Sequence, residues 1–590
     1  MNDVPRWDLT ALYASVEAQS LEEALRQSEE AFAALAAACA ACESAQLPEL
    51  LARFDRAALA FSQPQTYIIL VAMTQPMTAA LSRRQEQSAR IKAVQDRVWN
   101  ALLQKLQTAP DVQTLFDTHA QLAPYRYPVA EFRRVQPHRP APDLAALIGD
   151  RRRNGGYGWM ALRNQLDAAA AAPLHDGEAS MPLPQLRGLA ASADAQTRKD
   201  AYEAELRLYP RYETARAACF SGIKGEAREE LRYKRYDSVY DEMLDVTKLS
   251  ARTLECMLSA LEDTLGPLRR YLRRKARLLG HPDGMPWYDM LAPADGLPTS
   301  FTFEQAGGML CDALGSFSGE IGALACRALE NGWIDALPAA GKQSGAISID
   351  LPAMRENRIL LSYTGSFRCV RTMAHELGHA YHARCLDGIP LLLRDAPTPI
   401  CETASLMNET IFLQKSLEQM KPAQRFALLE SDLQESTQTL LDIYSRFLFE
   451  KEAFAARRDH ALLADELCAM MTSAQRRVYA DALDPARMHP YMWMCKVHYY
   501  IPEFHYYNYP YIFGLLFSKG LYARYLDAPR GFDARYRALL AGTCSGSLEQ
   551  IAAEAGIEIG TRQFWDDALR MVVRDVDEWL RLAENQTAWQ

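Results

Sequence analysis

Apolar residues recur at intervals of three and four through most of the chain, among long runs of good helix formers. This patterning predicts helices over 22–44, 48–62, 79–108, 194–227 and 249–278. Pro48 suits a first helical turn and Asp194 a cap. Residues 152–158 and 168–173, rich in Gly, Ala and Pro, are the clearest interruptions in the first third. They place a soft division near residue 190, between an N-terminal helical unit (1–190) and the remainder (191–590). The run Arg151, Arg152, Arg153 reads as a solvated turn. Later the pattern changes, and 345–350 and 358–363 read as two short strands joined by a charged, turn-forming loop. A further helix follows at once. Phe367, Val370, Ala374, Leu377 and Tyr381 keep helical spacing, Thr364 or Ser366 can cap the start, and Asp387-Gly388 with Pro390 supplies the stop. The expected fold is mainly α, with a small hairpin beside this helix.

Composition narrows the class. With 590 residues, 49% of them hydrophobic, the chain can bury a large core and still enclose a cleft. Sixty-five basic against 74 acidic residues, a net charge of -9, give no electrostatic reason to expect nucleic acid or an anionic membrane. The apolar patch 67–73 is too short to span a bilayer. The first residues lack a basic start followed by an apolar run, and the 12 cysteines are scattered, so the expected compartment is the cytoplasm. Cys39 and Cys42 sit in an alanine-rich helical stretch without the second pair a structural metal site needs, and read as helix packing. Nothing in the sequence sets the oligomeric state.

The chemistry concentrates in the helix after the hairpin. His375-Glu376-Leu377-Gly378-His379 is an H-E-x-x-H motif, whose two histidines, four residues apart, share one helix face and can meet at one metal ion. Glu376 lies beside them, placed to take a proton from a water at the metal. A catalytic zinc needs a third protein ligand and an open position. The helical stretch from Thr398, with Thr398 as a cap and Pro399 in its first turn, offers Glu402 as that ligand. Glu409, seven residues on, becomes a candidate acceptor that orients a ligand histidine. His382 lies on the face of His375 but too far along the axis to share the metal, so it reads as a pocket or supporting residue. Ligand type favours one zinc ion over manganese or cobalt. The strand edge ahead of the helix either receives an extended peptide by strand addition or belongs to a hairpin that is simply packed.

These residues resemble the M3 metallopeptidases, in particular the oligoendopeptidase F branch. The likeness rests on His375 to His379 followed by Glu402-Thr-Ala-Ser. The opening Trp7-Asp8-Leu9-Thr10, the segment Trp287-Tyr288-Asp289 and the closing Gly556-Ile-Glu-Ile with Phe564-Trp565 agree with it. The resemblance implies an elongated helical body with a deep substrate channel walled by the N-terminal helices, and a zincin-like core. It also implies a histidine and tyrosine cluster that polarises the scissile carbonyl, matched here by 498–514. Tyr511 is the first choice for that donor, with His498, or in its place His505, assisting. Tyr507 and Tyr509 are expected to line the substrate pocket with His505. The implied activity is zinc-dependent cleavage of internal bonds in short unfolded oligopeptides. Two alternatives stand beside it, a carboxypeptidase of the M32 kind and a catalytically silent peptide-binding protein on the same scaffold.

Overall fold

The computed structural model describes residues 4–294 and 300–584. It is mainly α, as expected, with two small sheets among the described residues. Three long helices come first: α1 (Gln19–Ala40), α2 (Leu47–Thr74) and α3 (Ala79–Thr108). Each buries one stripe at helical spacing, as Leu21, Leu25, Phe32 and Leu35 do in α1, and Thr78 caps α3 by accepting from the Leu81 N–H. The patch 67–73 is the end of α2, which runs past the expected stop at residue 62. No described helix is long and apolar enough to cross a membrane.

Two interruptions expected in the first third resolve differently. Residues 152–158 are largely helical: Pro142–Asn154 and Gly156–Ala169 meet at Gly155. The arginine run is therefore no solvated turn. It is the last turn of a helix, where Arg151 pairs with Glu229 and Arg152 with Glu230 and Glu503. Those acidic partners lie far along the chain, beyond the reach of local pattern. The second interruption stands, since the helix stops at Ala169 and a two-residue strand follows. Asp194 caps the next helix as expected, by accepting from the Thr197 N–H. That helix ends at Leu208 and, after the turn containing Pro210, gives way to α4 (Glu213–Lys234).

Three apolar clusters organise the described residues. One spans residues 12–129 and includes Leu351 of the hairpin. Another joins 170–223 to 449–500. The largest runs from Ala227 to Ala583 and surrounds the H-E-x-x-H helix. Beside that helix lies a three-stranded sheet. β1 (Ile334–Asp335) pairs in parallel with the central β3 (Glu356–Leu360), which pairs antiparallel with β2 (Ile347–Leu351), the other edge. The N-terminal segment is tied to this sheet. The Trp7 indole N–H donates to the Trp333 carbonyl at 2.7 Å, and the Ala336 N–H to the Pro5 carbonyl at 2.9 Å. Cys311 and Cys326, on successive helices, are joined as a disulfide, which their scattered spacing did not suggest.

Candidate active site

The central helix α5 (Phe367–Cys385) starts where expected, with the Ser366 hydroxyl accepting from the Cys369 N–H. After a loop, a single turn (Thr398–Cys401) leads into α6 (Thr403–Gln419). Thr398 is the first helical residue there, and Pro397 occupies the cap position expected for Thr398. Glu402 sits at the joint between the two pieces, which turns its side chain towards α5. Helix α7 (Pro422–Thr437) and helix α8 (Ile443–Ala456) follow, and α9 (Tyr509–Asp527) packs across Glu402 and α6.

Helices α5 and α6 meet at a glycine. A Cβ on Gly378 would lie 2.4 Å from the Ala404 carbonyl oxygen and 2.5 Å from Ser405 Cα. This closeness brings the three expected ligands together. His375 Nε2 and His379 Nε2 are 3.2 Å apart, and Glu402 Oε2 stands 3.3 Å from the first and 3.2 Å from the second. A tetrahedral ion with bonds of about 2.0 Å has ligand atoms about 3.3 Å apart. The nearly equilateral triangle therefore fits zinc to about a tenth of an ångström, and the two imidazoles and one carboxylate match its preferred donors.

The ligands are themselves held. The His375 Nδ1–H donates to Glu409 Oε1 at 2.6 Å, leaving Nε2 for a metal. Glu409 is gripped in turn by Arg371, whose guanidinium also meets Asp432 and Glu435. Arg371 escaped notice in the sequence, although it lies four residues before His375 on the same helix face. The Ser405 hydroxyl donates to Glu402 Oε2 at 2.9 Å. Without a metal, burial opposes protonation of His375, but Glu402 and Glu409 outweigh it and lift its pKa to about 10. Burial also raises the carboxyl of Glu376, with His375 and His379 opposing. A carboxylate kept from full hydration beside the ligands is suited to accept a proton.

The other expected residues divide. Tyr511, 42% exposed, points its hydroxyl to His498 Nε2 at 3.4 Å, and the His498 ring stacks on Tyr507 at 5.1 Å. Gly514, one turn after Tyr511, faces Glu402, so this aromatic group borders the ligand triangle. Burial, with Arg446 and Lys496, lowers the His498 pKa. Phe504, 47% exposed and 4.9 Å from the Tyr507 ring, belongs to the same wall and was missed, because one aromatic among many in an irregular segment has no distinguishing period. His505 and Tyr509 do not line it, which corrects the expectation for both. His505 is buried against Lys224 and Phe454, and Tyr509 is fully buried with its hydroxyl on Thr247. His382 is buried too, with Nε2–H donating to Thr543 Oγ1 at 2.8 Å and burial lowering its pKa to about 4. It forms no hydrogen bond to a ligand.

Residues 323–571, which contain this whole constellation, match the model of peptidase family M3. The match covers less than half of the chain. Among curated relatives, the group B oligopeptidase PepB of Streptococcus agalactiae is 25% identical over 387 residues, 64% of this chain and 63% of PepB. The alignment thus spans less than two thirds of that relative's own length. Among solved structures, a Chlamydophila abortus protein provisionally described as a peptidase superposes with a TM-score of 0.82 at 20% identity, covering 98% of both chains. Oligoendopeptidase-F from Enterococcus faecium gives 0.64 at 19% identity, covering 96% of this chain and 98% of that one. The fold is therefore shared along nearly the full chain.

Proposed function

We propose that the chain is a zinc-dependent endopeptidase that cleaves internal bonds of short unfolded oligopeptides in the cytoplasm. The observation that carries this reading is the triangle of His375, His379 and Glu402, sized for a tetrahedral zinc, with Glu376 on the same helix. The names of the relatives, oligopeptidase and oligoendopeptidase, support the substrate class. One zinc ion, held by those three residues, would supply Lewis-acid polarisation of the scissile carbonyl and activation of a water.

The chain's own groups do the rest. Glu376 accepts the proton of the attacking water and passes it to the leaving amine. Glu409 and Arg371 fix the tautomer and orientation of His375. The Tyr511 hydroxyl, with His498, donates to the oxyanion as it develops, a contact stronger in the transition state than in the ground state. The free edge of β2 offers backbone groups to an extended peptide. The exposed ring of Phe504 and the half-buried ring of Tyr507 form an apolar wall for a substrate side chain. The N-terminal unit, expected over 1–190, would close one side of a channel that admits flexible peptides and excludes folded proteins.

Zinc-loaded protein incubated with short peptides, half of them blocked at both ends, tests the reading by mass spectrometry of the products. Internal cuts in blocked peptides are expected. Loss of residues from free C-termini alone would make the chain a carboxypeptidase, and no cleavage at all would make it a binding protein.

A further inference from the structure

The segment that carries His498, Tyr507 and Tyr511 is irregular from residue 501 to 508, and it contains a strained residue. Tyr506 has φ +55°, a left-handed conformation that a non-glycine residue adopts at a cost and keeps only where its surroundings impose it. The imposing group lies directly beneath. Lys224 of α4 has no exposed surface, and its ammonium donates to Glu450 Oε1 at 2.6 Å and to His505 Nδ1 at 3.2 Å. Glu450 of α8, 1% exposed, accepts from Asn508 Nδ2 at 2.9 Å through its other oxygen. The ammonium also lies 5.0 Å from the Phe454 ring and 5.8 Å from that of Tyr499, the neighbour of His498.

One buried ion pair therefore holds the segment at three places: at Tyr499 through the ring, at His505 through Nδ1 and at Asn508 through the carboxylate. Asn508 is the residue that opens α9, and its carbonyl accepts from the Tyr511 N–H at 3.2 Å. Fixing Asn508 fixes the first turn of α9, and with it the Tyr511 side chain. Burying two charges in a closed interior is costly, and apolar residues of similar volume are often as stable or more so. Stability is thus a poor account of this pair, whereas orientation of the segment above it is a specific one.

We infer that Lys224 and Glu450 are positioning residues, which lock the 498–508 segment so that Tyr511 and His498 face the ligand triangle. The inference rests on the role given to Tyr511 in the proposed function. Neither residue touches substrate; each acts through Tyr511. Displacing a catalytic group by about 1 Å can cost 100-fold in rate.

The test is a kinetic double-mutant cycle on zinc-loaded full-length protein, with a blocked, internally quenched fluorescent oligopeptide. Lys224→Met combined with Glu450→Gln removes both charges and leaves neither unpaired. Expected are a loss in kcat of about tenfold or more, KM within about twofold and full zinc content. In a Tyr511→Phe background the same pair of changes is expected to cost less than about threefold, because the group they position is already gone. Should the double variant fail to fold, His505→Phe, which keeps the Lys224–Glu450 pair and removes one tie, is read in the same cycle. Equal losses in both backgrounds, or no loss with intact Tyr511, overturn the inference. If Tyr511→Phe alone leaves kcat unchanged, the role of Tyr511 fails first and the inference with it, which separates the two failures.

Discussion

Gly378→Ala changes one hydrogen into a methyl at the crossing of α5 and α6, and the consequence can be worked out atom by atom. The new Cβ would stand 2.4 Å from the Ala404 oxygen and 2.5 Å from Ser405 Cα, whereas ordinary contact starts at 3.4 Å. Both neighbours are backbone atoms within rigid helix, so no side chain can swing away and the helices must part by about 1 Å. His379 follows the substituted residue and Glu402 lies two residues before Ala404, so the separation falls between ligands. Metal sites tolerate roughly 0.2 Å in a bond, five times less than this displacement. Glu402 should therefore leave the triangle. We expect zinc affinity to fall at least 100-fold, more than the roughly 10–100-fold seen when only a supporting group is lost. The metal-free protein should lose about 1–3 kcal/mol of stability from overpacking. Competition with a chromogenic chelator measures the first and thermal unfolding the second. A variant that binds zinc within threefold of the parent and melts at the same temperature would refute the argument, since the helices would then have absorbed the methyl without moving the ligands.

Other outcomes follow from single groups. Glu376→Gln should retain one zinc per chain by elemental analysis and lose at least about 100-fold in kcat, because it alters a proton acceptor and no ligand; an active, zinc-replete variant would remove Glu376 from the scheme. Glu409→Gln should weaken zinc binding about 10- to 100-fold while leaving the fold intact, as Arg371 keeps Asp432 and Glu435, and chelator competition would expose an unchanged affinity. Far from the site, Asp55 is held at a pKa of about 6 by burial, against the Tyr125 hydroxyl that donates to it. A carboxyl raised in the folded state favours folding below the unfolded pKa of about 4, and that contribution is lost as pH rises through 6. Asp55→Asn should then stabilise by at most about 3 kcal/mol at pH 8 and by less at pH 5. Urea unfolding at the two pH values decides it, and an equal gain at both would contradict the burial argument.

How much of this was legible beforehand depended on whether the deciding contact was local. The spacing of His375 and His379, the cap at Ser366, the strands either side of 350–358 and the cap at Asp194 are written within a few residues, and local pattern reads them. Convergence of Glu402 on the two histidines was inferable from the need for a third ligand, but not the glycine contact that makes it possible. The aromatic stretch after residue 497 defeated pattern. It has no period, and which ring faces solvent is decided by Lys224 and Glu450, 281 and about 55 residues away from His505 in sequence. Hence Tyr511 and Tyr507 are found at the surface while His505 and Tyr509 are not. The arginines at 151–153 mislead for the same reason, since Glu229 and Glu230 of α4 and Glu503 of the irregular segment answer Arg151 and Arg152 from far along the chain.

The tie between Trp7 and the Trp333 carbonyl spans 326 residues. During synthesis from the N-terminus, the first helices can gather on their own apolar cluster while this tryptophan still has nothing to bind. The strand that receives it, and the H-E-x-x-H helix beyond, emerge only after the long stretch of chain between them is made. Closing so long a loop is slow compared with helix formation. The Trp7 contact therefore forms later than the helices that follow Trp7, and the sheet beside the H-E-x-x-H helix is tied to a residue made 326 positions earlier.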